Sequence, residues 1–215
     1  SNERKRHIMS SISFIGLGNM TRAIGARAVE GGNDVEVIGR DAAKAEALAA
    51  ELGGGATVGT FGAAPAGDIV VLAVPYANSA DVLAQVGDSL DGKTVIDISN
   101  TFNADVTGLV TPDGTSGAQE IAKALPASTR VVKAFNTVFG HVLAQTSGPL
   151  DVLIAGDDAD AKASVSTFIE SLGLRPFDVG GLAAARWLEA AGPLLMGLAS
   201  NGAGFNISLG VNVLG

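Results

Sequence analysis

Residues 14–20 read FIGLGNM, with Gly16 and Gly18 placed where an apolar run gives way to a helical pattern. Two glycines at such a junction let the backbone approach a diphosphate, whose charge then faces the N–H groups at the helix start. Leu17, Asn19 and Met20 would surround that group. The third glycine of the usual fingerprint is missing, and Thr21 in its place needs slightly more room between helix and strand. About twenty residues on, an NAD-binding chain carries an acid for the ribose 2′-hydroxyl. Here Gly39 and Arg40 stand there instead, followed by Lys44 in the first turn of a helix whose expected N-cap is Asp41. A cation in a first helical turn opposes the helix dipole by roughly 0.3–1 kcal/mol. Arg40 and Lys44 therefore make sense around an anion, and the 2′-phosphate of NADP is the anion that fits.

The ends of the later apolar runs should line the nicotinamide half of the same crevice, because ligands of open parallel sheets lie outside the carboxyl ends of the strands. Ala73, Val74, Pro75 and Tyr76 offer an apolar wall there, and Asn78, Ser99 and Asn100 offer neutral hydrogen bonds. Ala134, Asn136, Thr137 and Val138 complete the set. Lys133 and His141 are the strong acid–base groups nearby; His141 reads as structural, and Lys133 as turned into a sheet face. Reduction of a carbonyl or imine normally needs a proton donor of the His, Lys or Tyr kind. Hydride exchange between two flat organic cofactors needs mainly stacking at the right distance. The poverty of titratable groups favours the second chemistry.

Alternating patterns position these residues. Strands are expected at 11–15, 34–39, 68–74, 94–99, 130–135, 151–156 and 174–179, with a short one near 56–60. Helices are expected at 19–31, 42–52, from Asn78 or Ser79 to about 86, at 118–124 and at 158–171, the last capped by Asp157 or Asp158. That alternation predicts an α/β fold with a doubly wound, mostly parallel Rossmann sheet. Residues 100–117 form a long polar insertion, and the helical run after 182 should break at Gly192–Pro193. The expected organisation is an arm or tag at 1–9, a dinucleotide-binding domain at 10–181 and a small C-terminal helical cap at 182–215.

Composition narrows the classes. The chain of 215 residues is 47% hydrophobic and 17% charged, with a net charge of −8, so no broad basic surface exists for nucleic acid. No apolar run approaches the roughly 20 residues of a membrane span. There is no cysteine, which removes disulfides, thiolate catalysis and Cys-ligated metals, and there are only two histidines. A cytoplasmic protein that borrows its chemistry from an organic cofactor fits these limits.

The motifs FIGLGNM, IGRDAAKAE, VVLAVPYANS, VIDISN, VVKAFNTV and GLRPFDVGGLAAARWLE, in this order, resemble the coenzyme F-420-dependent NADP oxidoreductases. The same small module is the NADPH-binding domain of the six-transmembrane ferric reductases. The resemblance implies that Gly18, Asn19 and Met20 surround the pyrophosphate and that Arg40 and Lys44 hold the 2′-phosphate. It places Asn136, Thr137 and Val138 beside nicotinamide and deazaflavin, with no obligatory acid or base. It further implies a homodimer and a small-molecule acceptor, whose anionic tail would rest near Arg130, Arg175 or Arg186. The archaeal members carry a histidine where this chain has Asn136. A flavin, quinone or ferric chelate as acceptor, or a non-catalytic NADPH-binding module, stays open beside the deazaflavin.

Overall fold

Strands whose side chains alternate between two buried faces build the molecule around one sheet. The structure, a computed structural model, describes residues 10–215; the arm expected at 1–9 lies outside the described residues. Strands β1 (Ser11–Ile15), β2 (Asp34–Ile38), β3 (Thr57–Val58), β4 (Ile69–Leu72), β5 (Thr94–Asp97), β6 (Arg130–Lys133), β7 (Asp151–Gly156) and β8 (Arg175–Asp178) form an eight-stranded sheet. Its order is β3-β2-β1-β4-β5-β6-β7-β8. The order reverses between β1 and β4, so the crevice lies at the carboxyl end of β1, where the glycine turn begins.

Helices cover both faces. Ile12, Phe14, Val71 and Val132 face one side, packing against Ile24 of α1 (Asn19–Glu30), Leu48 of α2 (Ala42–Leu52), Leu143 of α5 (Gly140–Gln145) and Phe168 of α6 (Ala159–Ser171). Ile15, Val70, Leu72 and Val131 face the other, against Val82 of α3 (Tyr76–Val86), Ile121 of α4 (Gly117–Lys123) and Leu188 of α7 (Ala185–Leu198). Both faces of the central strands are buried, which is why IVVL of β4 is apolar at every position.

Two helix expectations are corrected, at α3 and α7. The mostly parallel sheet is as expected: β7 runs antiparallel to β6, and the other pairings are parallel. Helix α5 has only 6 residues, a rise of about 9 Å, so the chain enters β7 at the end of the sheet where β6 finishes. Helix α3 starts at Tyr76 on an N-cap of Pro75, without a side-chain cap. Asn78 and Ser79 therefore lie inside its first turn, and the Ser79 hydroxyl donates back to the Tyr76 carbonyl at 2.7 Å. Helix α7 runs unbroken through Pro193. Proline there leaves the Glu189 carbonyl without its usual amide donor, a local cost that packing of Leu188, Gly192 and Leu195 outweighs. The helix breaks later, at Asn201 and Gly202, where Gly202 has a φ of 114°.

Arg27 of α1 ties the layer of α1, α5 and α6 together. Its guanidinium donates to the carbonyls of Leu143 at 2.9 Å, Leu172 at 3.0 Å and Thr146 at 2.5 Å. Arg27→Met keeps the aliphatic stem and removes all three donors. We expect it to cost roughly 1–3 kcal/mol, read as a lower urea midpoint at unchanged m-value; an unchanged midpoint would show that the carbonyls are equally content with water.

Candidate functional site

The glycine turn is shaped by two different demands. Gly16 has a φ of 120°, and a Cβ there would lie 2.1 Å from the Ala73 carbonyl oxygen, so β1 and the end of β4 approach closely only because Gly16 has no side chain. Gly18 is the N-cap of α1 in extended conformation, and a Cβ on it would meet nothing within 4 Å. Its missing side chain leaves open space in front of the helix. No side chain caps α1 and no acid lies in its first turn, so its leading amides are free to meet an anion. Thr21 is fully buried and donates its hydroxyl to the Gly16 carbonyl at 2.8 Å. The residue that replaces the third glycine thus fastens the turn rather than merely crowding it.

The second turn lies beside the first. A Cβ on Gly39 would come within 2.4 Å of the Leu17 side chain, so glycine at the place of the usual acid also admits Leu17. Asp41 caps α2 by accepting from the Lys44 amide at 3.1 Å. Lys44 is exposed, 4.0 Å from the Asp41 carboxylate. Arg40 lies with its guanidinium carbon 5.2 Å above the Phe61 ring. Sequence reading missed Phe61; its signal was an aromatic residue between two glycines in the loop after β3.

At the ends of β5 and β6 stands a buried ion network. Lys133, Asp97 and Glu189 are fully buried, and the Lys133 ammonium donates to Asp97 Oδ2 and to Glu189 Oε1, each at 2.9 Å, and to the Ser99 carbonyl at 2.5 Å. Asp97 Oδ1 accepts from the Ser99 amide at 2.9 Å and hydroxyl at 2.7 Å. Glu189 accepts further from the Thr101 hydroxyl at 3.0 Å and the amides of Gly117 at 2.9 Å and Ala118 at 3.2 Å. Every carboxylate oxygen has a donor, as buried ions require. Lys133 is therefore spent on holding α7 and the start of α4 to the sheet. Tyr76, beside this cluster, has its phenol raised above its ordinary value by burial and by Glu120, Glu189 and Asp97, with Lys133 opposing.

Immediately after β6 the backbone takes an unusual turn. Phe135, fully buried, has a φ of 65°, a left-handed conformation that costs a non-glycine residue of order 1–3 kcal/mol. It aims the next residues sideways. Asn136, Thr137 and Val138 meet Met20, Asn100 and Phe102 around a cavity of about 220 Å³, closed on the α7 side by Gly192, Leu195 and Met196. The Asn136 amide nitrogen donates to the Leu188 carbonyl at 2.8 Å and to Asn100 Oδ1 at 3.3 Å. Asn136 Oδ1 and Thr137 Oγ1 are buried with no hydrogen-bond partner, a condition native proteins rarely leave uncompensated. The insertion at 100–117 is ordered by Asn103, whose side-chain oxygen accepts from the amides of Thr107 and Gly108, and by the Phe102–Leu109 bridge. It brings Phe102 against Gly192, where a Cβ would lie 3.0 Å from the ring.

Other sequence-derived residues fall elsewhere. Ser99 and Ala134 are buried in the strand ends and are not among the residues lining this cavity. Ala73, Val74 and Tyr76 are half-buried beside Gly16 and α3, and Pro75 and Asn78 are exposed at the head of α3. His141 is exposed, stacks on Phe139 and meets the Phe205 carbonyl at 2.8 Å, pinning the C-terminal segment. Arg130 starts β6 at the far end of the sheet and pairs with Asp158, while Arg175 pairs with the buried Asp151. Arg186 lies over the Trp187 ring. The three arginines do not form one patch.

Residues 11–101 match the family described as "NADP oxidoreductase coenzyme F420-dependent". The "F420-dependent NADP reductase" of Methanocaldococcus jannaschii is 34% identical over 157 residues, 68% of this chain and 70% of that protein. The "Metalloreductase STEAP3" of Rattus norvegicus is 32% identical over 183 residues, 83% of this chain but only 36% of that protein. A solved structure described as a putative F420-dependent NADP-reductase from an Arthrobacter species superposes with a TM-score of 0.82 at 25% identity, covering 94% of this chain and 99% of that one. The chain belongs to the F420-dependent NADP oxidoreductase family. It is an α/β dinucleotide-binding oxidoreductase by family, and no described helix is long and apolar enough to cross a membrane.

Lys133→Met would leave two carboxylates facing each other without their shared cation. We expect a loss of about 3–5 kcal/mol in chemical denaturation; a loss below 1 kcal/mol would mean that the network contributes no more than an exposed pair.

Proposed function

We propose that the protein transfers a hydride between NADP(H) and a deazaflavin of the coenzyme F-420 class. The observation that carries the nucleotide half is the pair of bare features at the crevice: an uncapped α1 N-terminus behind the open position of Gly18, and Arg40 beside Lys44 where an acid would select NAD. In this reading Gly16, Leu17, Gly18, Asn19 and Met20 cradle the pyrophosphate, and Gly39, Arg40 and Lys44 take the 2′-phosphate. Ala73 to Tyr76 and Asn78 flank the bridge. Asn100, Asn136, Thr137 and Val138 receive the nicotinamide, with Ser99 and Ala134 behind them. The two unpartnered oxygens of Asn136 and Thr137 suit a carboxamide, which carries two N–H donors.

When bound, the nicotinamide supplies the hydride. The chain's part is to hold the rings together and keep water out, consistent with a cavity lined by Met20, Phe102, Leu195 and Met196 and no acid or base. The names of the archaeal relatives favour a deazaflavin acceptor. The metalloreductase likeness keeps flavin or ferric chelate as the second reading. A cytoplasmic homodimer completes the proposal, with exposed Trp187, Leu194 and Leu198 of α7 as its apolar contact.

Mixing the protein anaerobically with NADPH and oxidised F-420 should bleach the deazaflavin absorbance; turnover with FMN alone would transfer the proposal to the second reading. Arg40→Ala should weaken NADPH by about 1–3 kcal/mol through loss of a charge-assisted pair and leave NADH nearly unchanged. Equal losses for both nucleotides would detach Arg40 from the 2′-phosphate. Gly18→Val should leave the melting temperature within about 2 °C while weakening NADPH at least tenfold, an order-of-magnitude expectation from blocking backbone approach to the diphosphate. Unimpaired binding would put the pyrophosphate elsewhere.

A further inference from the structure

Arg40 is exposed and, among the described residues, forms no ion pair with any carboxylate. A free arginine of this kind normally samples many rotamers. This one has a fixed neighbour. Phe61 follows β3 in a turn closed by the Ala63 amide donating to the Thr60 carbonyl at 3.1 Å, and Gly62 in that turn has a φ of 92°. The ring packs against the buried layer that contains Ile15, Ile38 and Leu72. It lies under the guanidinium, 5.2 Å from ring centre to guanidinium carbon, within cation–π range.

We propose that Phe61 is a specificity-positioning residue for 2′-phosphorylated adenine nucleotides, holding Arg40 over its ring so that the guanidinium is preformed for the phosphate. The inference rests on the NADP reading above. An arginine held before binding loses less freedom on meeting its phosphate than a mobile one does. Phe61 also explains how one exposed cation can discriminate. Among the described residues Lys44 has 4.0 Å to Asp41 as its only ion-pair contact, and with its flexible stem it adds charge without geometry. The aromatic ring adds the geometry, and it is not among the residues lining the cavity at Asn136.

The test is calorimetric titration of NADPH, NADH, adenosine 2′-monophosphate and adenosine 5′-monophosphate into the wild type and variants. Phe61→Leu should lower the NADPH-to-NADH affinity ratio by about three- to tenfold, entirely through weaker NADPH, and should remove the preference for the 2′-monophosphate. Phe61→Tyr should keep both. In an Arg40→Ala background Phe61→Leu should change nothing further, because the ring acts through the arginine. Phe61→Met, which keeps apolar volume under Arg40, replaces the leucine variant should that one not fold. An unchanged ratio, or equal losses for NADPH and NADH, would reduce Phe61 to core packing and overturn the proposal. A wild-type ratio of one would overturn the NADP reading itself; a high wild-type ratio that survives loss of the ring overturns only the role of Phe61.

Discussion

One buried ammonium decides how the second half of this molecule is put together. Lys133 binds a carboxylate from β5, a carboxylate from α7 and the Ser99 carbonyl, all out of contact with water. Burying three ions gains little net stability over well-packed apolar groups. What it does is restrict alternatives. Glu189 can sit only where Lys133, Thr101 and the first amides of α4 all reach it, so α7 cannot slide along the sheet or rotate about its axis. Leu188, its neighbour, thereby presents its carbonyl to Asn136 and fixes which end of that amide faces α7. A carbonyl only accepts, so the nitrogen must be there and the oxygen turned away.

The crevice divides into two chemistries along its length. At the β2 end stand Arg40, which has no ion pair among the described residues, Lys44 beside Asp41, and a helix start without a cap. At the β6 end stand amides, hydroxyls and apolar walls. In a chain of net charge −8, the first arrangement exists only because acids have been kept out of a small region. Asp41 is the exception, and its carboxylate is occupied by the Lys44 amide. The cationic end, where we propose that phosphate binds, would therefore work through local placement, while the general field of the protein repels anions.

The first half of the fold was legible because its signals are local. The glycine turn, the glycine and arginine at the end of β2, the cap Asp41 and the strand runs each depend on residues within a few positions. What escaped depends on partners far along the chain. Glu189 reads as an ordinary helix-surface acid until Lys133, 56 residues away, is folded against it. Pro193 reads as a break because a proline lacks a donor, yet the packing of α7 on the sheet is stronger than that local loss. The direction of β7 follows from a helix of 6 residues, and a boundary of that kind is the least readable feature of a sequence. Phe135 gives no warning at all of its left-handed backbone.

The cavity's size bears on the acceptor. About 220 Å³ lies below the range of pockets that enclose a drug-sized ligand. On the proposed hydride-transfer reading it would take one heterocycle and its substituent, and a second ring would lie against the flexible apolar side chains of Met20 and Met196. Such a surface selects for flatness and for reach more than for the hydrogen-bonding pattern of the second ring. Members that share the nucleotide half can then differ in the acceptor they serve through changes at the rim alone. That is a physical reason why one chain is similar both to an "F420-dependent NADP reductase" and to part of a metalloreductase.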